Sequence, residues 1–301
     1  MDCGEGHRPV LREAVAELLA PAGRRVLVDC TVGLGGHAEM LLEAAGPQAC
    51  LVGIDVDEGN LKAAAQRLAR FGRQVRLFQA NFAELDVVLT EAGHAAADAI
   101  LADLGVSSSQ LDDPARGLSF LADGPLDMRL DRRLKKTAGD LVNDLGEKEL
   151  ADLIYRYGEE RYSRRIARAI AAARRRKHVE STVELATIIR RALPPAVRST
   201  RRGAHPATRT FQSLRIAVND EMGRLERLLG LLPTVLAVGG RAAVISFHSL
   251  EDRQVKHAFA EWAKSGRATL LTRKPITPAA VEMAANPRSH SAKLRGIQRV
   301  A

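Results

Sequence analysis

Two hydrophobic rhythms alternate along the first third of the chain: short contiguous apolar runs, many of them β-branched, and longer stretches in which apolar positions recur every three or four residues. The short runs at 25–29, 50–55, 75–78 and 99–103, with two more at 242–247 and 269–272, predict strands. Between the first four, segments 36–45, 58–71 and 82–92 predict helices, the second with Leu61, Ala64, Ala65 and Leu68 at helical spacing. Strand and helix in alternation predict an α/β fold, a Rossmann-like parallel sheet with crossover helices. After Asp103 the alternation stops. Residues 113–206 carry no strand pattern, only a stretch punctuated by Gly117, Gly124 and Pro125 and then Arg-rich helical segments at 162–173 and 182–193. This predicts an all-helical domain inserted over 113–206, dividing the sheet domain into 1–112 and 207–301. One long helix over 208–232 then returns the chain to the sheet, with Pro233 as its stop and Gly239-Gly240 turning into the fifth strand.

Composition narrows the class without changing this picture. With 46% hydrophobic and 27% charged residues and a mean hydropathy of −0.12, the 301-residue chain is an ordinary globular protein, not a disordered or collagen-like one. No apolar run approaches the roughly 20 residues that span a bilayer. Residues 1–8 have neither a basic start nor an apolar stretch, so no leader is expected and the expected address is the cytoplasm. Cys3, Cys30 and Cys50 form no metal-ligand spacing; no metal is expected, and Cys30 and Cys50 read as buried thiols. The net charge of +9 matters more for where it lies than for its size. Residues 151–210 hold 15 Arg and Lys against 5 Asp and Glu, the composition of a surface for a polyanion, with a merely solvated face as the alternative.

Candidate chemistry begins where the first predicted strand ends in Asp29 and the turn Thr31-Val32-Gly33-Leu34-Gly35-Gly36-His37 opens a helix. Glycines permit positive φ and close approach to the backbone, and the helix N-terminus offers free N–H groups. Asp55 ends the second strand 20 residues after Gly35, where a carboxylate can accept both hydroxyls of a ribose. Gly33-x-Gly35-x-x-Ala38 with Asp55 satisfies the dinucleotide fingerprint, so a nicotinamide-dependent or other small-molecule enzyme stays open here, as does a purely structural turn. Methyltransferases using S-adenosyl-L-methionine share the geometry in another glycine phase; Asp29, Gly33 and Gly35 match it, with Thr31 in the first glycine place. The fourth strand tips the balance toward them. It ends in Asp103-Leu104-Gly105-Val106-Ser107-Ser108-Ser109-Gln110, a carboxylate and a polar loop at the carboxyl edge where open α/β sheets bind ligands. A cap or turn is the alternative for Asp103 and for the serines.

Stretches spread along the chain resemble one family, the bacterial 16S ribosomal RNA cytosine-N4 methyltransferases (RsmH or MraW). They are GHRPVL at 6–11, DCTVGLGGH at 29–37, GIDVD at 53–57, DLGVSSSQLDD at 103–113, RGLSFLADGPLDMRLD at 116–131, YGEERYSRRIARAI at 157–170, HPATRTFQSLRIAVN at 205–219, ISFHSLEDR at 245–253 and NPRSHSAKLR at 286–295. The resemblance implies a class I S-adenosylmethionine-dependent methyltransferase sheet with an inserted helical domain. It also implies cofactor contacts at Gly35, Gly36, His37, Asp55, Phe82, Asp103 and Gln110. Asp55 would take the ribose hydroxyls, Phe82 would pack on the adenine, and His37 would donate a hydrogen bond and not act in catalysis. Two departures are Ser109, where the family carries proline, and the varied turn at 31–34.

The implied reaction methylates N4 of a decoding-centre cytosine in the 16S rRNA of the small ribosomal subunit. The cofactor carries an activated methyl, so no metal is needed and alignment is the main task. Asp103, accepting the amino hydrogens of the acceptor, is the expected catalytic residue. Arg209 and Gln212, near a helix start after Pro206, and His248 and Arg253, where the fifth strand meets a helix, are expected on the substrate side. Arg164, Arg165, Arg168, Arg174, Arg175, Arg176 and Lys177, with Arg198, Arg201 and Arg202, are expected to meet RNA phosphates. A noncatalytic ribosome-assembly factor is the other functional class kept in view, and whether the chain forms a homodimer is left open.

Overall fold

The computed structural model describes residues 9–197 and 205–301; Cys3, Arg198, Arg201, Arg202 and residues 6–8 of the first resembling stretch lie outside the described residues. The chain begins α1 (Arg12–Leu19), β1 (Val26–Asp29), α2 (Gly36–Ala45), β2 (Cys50–Asp55), α3 (Glu58–Arg67), β3 (Val75–Gln79), α4 (Leu85–Glu91) and β4 (Ala97–Asp103). A helical stretch follows: α5 (Ser108–Asp112), α6 (Ala138–Asp144), α7 (Glu147–Gly158), α8 (Ser163–Arg174), α9 (Thr182–Ala192) and α10 (Thr208–Asn219). Then come α11 (Glu221–Val235), β5 (Leu236–Ser246), α12 (Ser249–Lys264), β6 (Ala268–Leu270), α13 (Ala280–Ala285) and β7 (Lys293–Arg299).

The seven strands form one sheet in the order β3-β2-β1-β4-β5-β7-β6. Strands β1 to β5 pair in parallel, and β7 runs antiparallel to both its neighbours. Contiguous apolar strands mean burial on both faces, and successive residues separate accordingly. Val28, Val52, Ile54, Ile100, Ala102 and Val244 pack under α4, α11 and α12, while Leu27, Leu51, Ala99, Leu101, Ala243 and Ile245 pack under α1, α2 and α3. The order reverses between β1 and β4, which leaves a crevice at their carboxyl ends, the usual ligand position in such sheets.

Several sequence expectations are corrected. The helix expected over 208–232 is two helices, because Asp220 adopts a left-handed conformation (φ 49°) between α10 and α11. Pro233 lies inside the last turn of α11 instead of ending it. Strand β5 begins before the double glycine: Leu236 is opposite Ala97 and Arg241 opposite Ala99, so Gly239 (φ 77°) and Gly240 sit in a bulge. Strand β7, which the hydrophobic pattern does not predict, completes the sheet. Cys30 is buried, but Cys50 is only half-buried, with its Sγ 3.3 Å from His94 Nε2.

The chain divides into two compact units, residues 1–105 with 222–301, and residues 106–221. The helical unit therefore starts before residue 113 and includes α10, which the sequence pattern assigns to the return to the sheet. Its own core joins Leu126, Met128, Val142, Leu150, Ile154, Ile166, Ile170, Leu185, Ile189, Phe211 and Leu214. Among the described residues, no helix is long and apolar enough to cross a membrane.

Candidate active site

At the crevice of the sheet unit, Asp29 ends β1 and Asp103 ends β4, and Thr31 joins them. Its backbone N–H donates to Asp29 Oδ1 (3.2 Å), and its hydroxyl accepts the N–H of Asp103 (2.7 Å). The residue standing in the first glycine place thus ties two strand ends together, a role that sequence spacing gave no sign of. His37, in the first turn of α2, is buried, and its Nε2 lies 3.6 Å from Asp103 Oδ2. Asp29 Oδ2, Asp103 Oδ1 and both ring nitrogens of His37 are buried without a hydrogen-bond partner among the described residues. Buried polar atoms are ordinarily paired, and a cluster of unpaired ones in a single corner marks a place where a polar ligand completes the bonding.

Burial pushes the Asp29 carboxyl up to about 7; the charge of His37 and the Thr31 N–H oppose the rise, and Asp103 and Asp55 add to it. The sign of the stability effect follows. An acid whose folded value lies above its unfolded value of about 3.9 makes the fold progressively less stable as pH rises between the two. Asp29→Asn, which has no charge to bury, is expected to stabilise the ligand-free protein by roughly 2–4 kcal/mol more at pH 8 than at pH 4. Denaturant unfolding at the two pH values checks this; an equal change at both would contradict it.

Asp55 is committed to the turn. Its Oδ2 accepts the Gly33 N–H (2.9 Å) and Asn60 Nδ2 (3.2 Å), and its Oδ1 accepts the Asp57 N–H (2.8 Å). Burial raises its carboxyl above the usual range against the pull of these donors. Two carboxylate oxygens offer about four acceptor positions, so little capacity remains for a ribose beyond these three bonds. Gly33 and Gly35 have φ of 52° and 82°, and a Cβ on Gly36 would stand 2.6 Å from Pro9 Cγ, so the turn requires its glycines. Phe82 opens the 3-10 turn before α4 and is half-buried against the core beneath that helix.

The ring of His248 is engaged locally at the N-terminus of α12. Its Nδ1 accepts the Glu251 N–H (3.3 Å), its Nε2 lies 3.2 Å from Glu251 Oε1, and Glu251 Oε2 accepts the Phe247 N–H (2.8 Å). Arg253 is exposed. Next to it in sequence, Asp252 binds Arg295 Nε (2.7 Å) and Lys293 Nζ (3.3 Å); burial alone would raise its carboxyl, but these cations hold it below the ordinary value.

The remaining sequence-predicted residues belong to the helical unit. Gln110 closes a capping box at the start of α5, its Oε1 accepting the Ser107 N–H (3.0 Å). Arg209 is exposed, and its Nη1 donates to the carbonyl of Glu159 (3.0 Å), a residue in left-handed conformation (φ 48°) at the end of α7. Gln212 is half-buried on α10. His205 stacks on Phe120 with ring centres 4.5 Å apart. On α8, Ile166, Ala167 and Ile170 are buried, while Arg164, Arg165 and Arg168 are exposed, followed by exposed Arg175, Arg176 and Lys177. Arg174 differs from its neighbours: it donates to the carbonyls of Val142 (2.6 Å) and Leu145 (2.5 Å) and so closes the end of α6. Its expected place among phosphate contacts is corrected on that ground.

A family model described as the MraW methylase family matches residues 4–300. The chain is 50% identical over 308 residues to the ribosomal RNA small subunit methyltransferase H of Syntrophobacter fumaroxidans, covering 97% of this chain and 96% of that protein. It is 48% identical over 306 residues to the protein of the same name from Symbiobacterium thermophilum, covering 97% and 96%. With that of Geobacter sulfurreducens it shares 48% over 309 residues, covering 98% and 99%.

Proposed function

Because the chain belongs to the MraW methylase family, we propose that it methylates N4 of a decoding-centre cytosine in the 16S rRNA of the small ribosomal subunit, drawing the methyl group from S-adenosyl-L-methionine. Membership of a methylase family leaves the nicotinamide reading without support. The observation that carries the proposal is Asp103: a carboxylate at the end of β4, at the reversal of strand order, with Oδ1 buried and unpaired.

The corner fits the cofactor on its own chemistry. Asp29 and Asp103 are acidic, each with a buried oxygen that has no hydrogen-bond partner, and both ring nitrogens of His37 are unpaired, as suits the polar and cationic groups of S-adenosyl-L-methionine. Gly35, Gly36 and His37 would hold it at the turn, with Asp55 and Phe82 flanking. When bound, it supplies a methyl group already activated by a positive sulfur. The chain's own work is on the acceptor. The lone pair of cytosine N4 is delocalised into its ring, and positive charge builds on nitrogen as the new bond forms. Asp103 Oδ1 accepts an amino hydrogen, offsets that charge, and holds the proton that must leave. His37 Nε2 lies 3.6 Å from Asp103 Oδ2, beside the carboxylate and without a hydrogen bond to it.

The exposed arginines of α8 and the residues after it form the RNA-facing surface of this reading, with Arg209, Gln212, His248 and Arg253 on the substrate side. Their number and the scarcity of aromatic residues, 4% of the chain, favour recognition through phosphates and folded RNA shape over base stacking. The test is transfer of labelled methyl from S-adenosyl-L-methionine to undermethylated small subunits, followed by digestion to nucleosides. N4-methylcytidine is the expected product; a different methylated nucleoside, or none, overturns the assignment.

A further inference from the structure

A second basic surface lies on the sheet unit, in the connection between β6 and β7. The ladder there is interrupted in a particular way. Leu271 N–H donates to the Gly296 carbonyl (2.9 Å), and Ile276 and Leu294 exchange two backbone hydrogen bonds (2.9 Å each). On β7 only Arg295 separates those two pairs; on the facing segment residues 272–275 do, three more than the ladder needs. The excess is extruded as Arg273-Lys274-Pro275, with both cations exposed. Thr272 holds the base of the bulge, its buried hydroxyl accepting the Gly296 N–H (3.1 Å).

The rest of the connection is built to the same charge. Between residues 271 and 293 the sole acidic residue is Glu282, and its Oε1 accepts the Leu11 N–H (2.7 Å). Arg288 and His290 are exposed on the 3-10 turn Pro287–Ser291. That turn is fixed by Asn286, which accepts from the backbone N–H of Arg288 (3.2 Å) and, through its carbonyl, from the N–H (3.0 Å) and hydroxyl (2.8 Å) of buried Ser289. Lys293 and Arg295 are paired with Asp252.

Location turns this charge into a site. Lys293 is opposite Ser246, the last residue of β5, and Arg295, across from the bulge, is opposite Val244. The bulge and the turn therefore sit at the same carboxyl edge of the sheet as Asp29, Asp55 and Asp103. Bulges next to active sites commonly re-aim side chains in this way.

We infer that Arg273, Lys274, Arg288 and His290 form an RNA-backbone clamp on the catalytic unit itself, holding the phosphates that flank the acceptor nucleotide. The inference rests on the RNA reading above and adds a contact surface independent of the helical unit. Phosphates are its ligand because four rigidly based cationic or protonatable groups, with little opposing acid, neutralise a polyanion and release its counterions.

The test compares the triple variant Arg273→Gln/Lys274→Gln/Arg288→Gln with Arg25→Gln/Arg73→Gln, two exposed arginines at the opposite, amino edge of the sheet. Binding to undermethylated small subunits is measured across a salt series, and S-adenosyl-L-methionine binding is measured by calorimetry. The clamp variant is expected to lower the slope of log Kd against log salt by about 2, to raise KM for the subunit roughly tenfold or more, and to leave cofactor affinity and kcat near wild type. The amino-edge variant is expected to leave all of these unchanged. A clamp variant with wild-type slope and KM, while the wild-type enzyme methylates subunits normally, overturns the clamp alone. A wild-type protein that neither binds nor methylates the subunit overturns the RNA reading and the clamp with it.

Discussion

Asp103→Asn is expected to reduce methyl transfer by roughly 10²–10⁴ at saturating cofactor and subunit, a loss of about 3–5 kcal/mol of transition-state stabilisation. The substitution is nearly isosteric, and the bond that anchors this strand end is made by the backbone N–H of residue 103 to Thr31 Oγ1, so it survives the change. What is lost is the negative charge and the capacity of Oδ1 to accept the departing proton. The loss should therefore appear in kcat with thermal stability retained, read as labelled N4-methylcytidine formed per enzyme. His37→Gln, removing the ring 3.6 Å from Asp103 Oδ2, is expected to be milder, since it changes the surroundings of the carboxylate and leaves the carboxylate itself in place. Near wild-type turnover by Asp103→Asn would remove this residue from the chemistry.

How much of this is legible in the sequence depends on whether each residue's work is local. Strands β1 to β4 are legible because burial on both faces makes them contiguous apolar runs, and α2 because a glycine turn precedes it. Strand β7 is not: Lys293 and Arg295 face Asp252, and Gly296 breaks the apolar run. That glycine is demanded from far away, since a Cβ there would stand 1.9 Å from Leu18 Cδ2. At the site, the carboxylates can be found from their positions at strand ends. The hydroxyl of Thr31 cannot, because its partner is 72 residues away and exists only once β1 and β4 are neighbours. Charge misleads in the opposite direction. Arg174 reads as a phosphate contact, yet it donates to the main-chain carbonyls of Val142 and Leu145 at the end of α6, which composition cannot distinguish from an exposed arginine.

Gly117→Ala is expected to destabilise the helical unit by about 3 kcal/mol or more, well above the roughly 1–2 kcal/mol that a left-handed conformation alone costs an L-residue. Gly117 has φ 65°, and a Cβ there would lie 2.0 Å from the Pro125 carbonyl oxygen and 2.9 Å from the Asp127 nitrogen. Both are backbone atoms, so no rotamer change relieves the clash. Neither can the facing strand of the loop retreat. Met128 N–H donates to the Arg116 carbonyl (2.9 Å), and Thr182 N–H donates to the Gly124 carbonyl (2.9 Å). The buried amide of Asn219 joins the Met128 carbonyl (2.8 Å) to the Leu130 N–H (2.7 Å). Gly124 repeats the constraint from the other side, its Cβ position lying 2.0 Å from the Pro114 carbonyl oxygen. Gly230, inside α11 with nothing within 4 Å of the place a Cβ would take, supplies the control of opposite sign: Gly230→Ala is expected to stabilise by about 1 kcal/mol through helix propensity. The probes are already in the chain. All three tyrosines, Tyr155, Tyr157 and Tyr162, lie in the helical unit, and the single tryptophan, Trp262, lies in the sheet unit. A fall of roughly 10 °C or more in the transition reported by tyrosine fluorescence is the expected result for Gly117→Ala. A transition within a degree or so of wild type would mean that the loop around 114–128 yields where its hydrogen bonds say it is held.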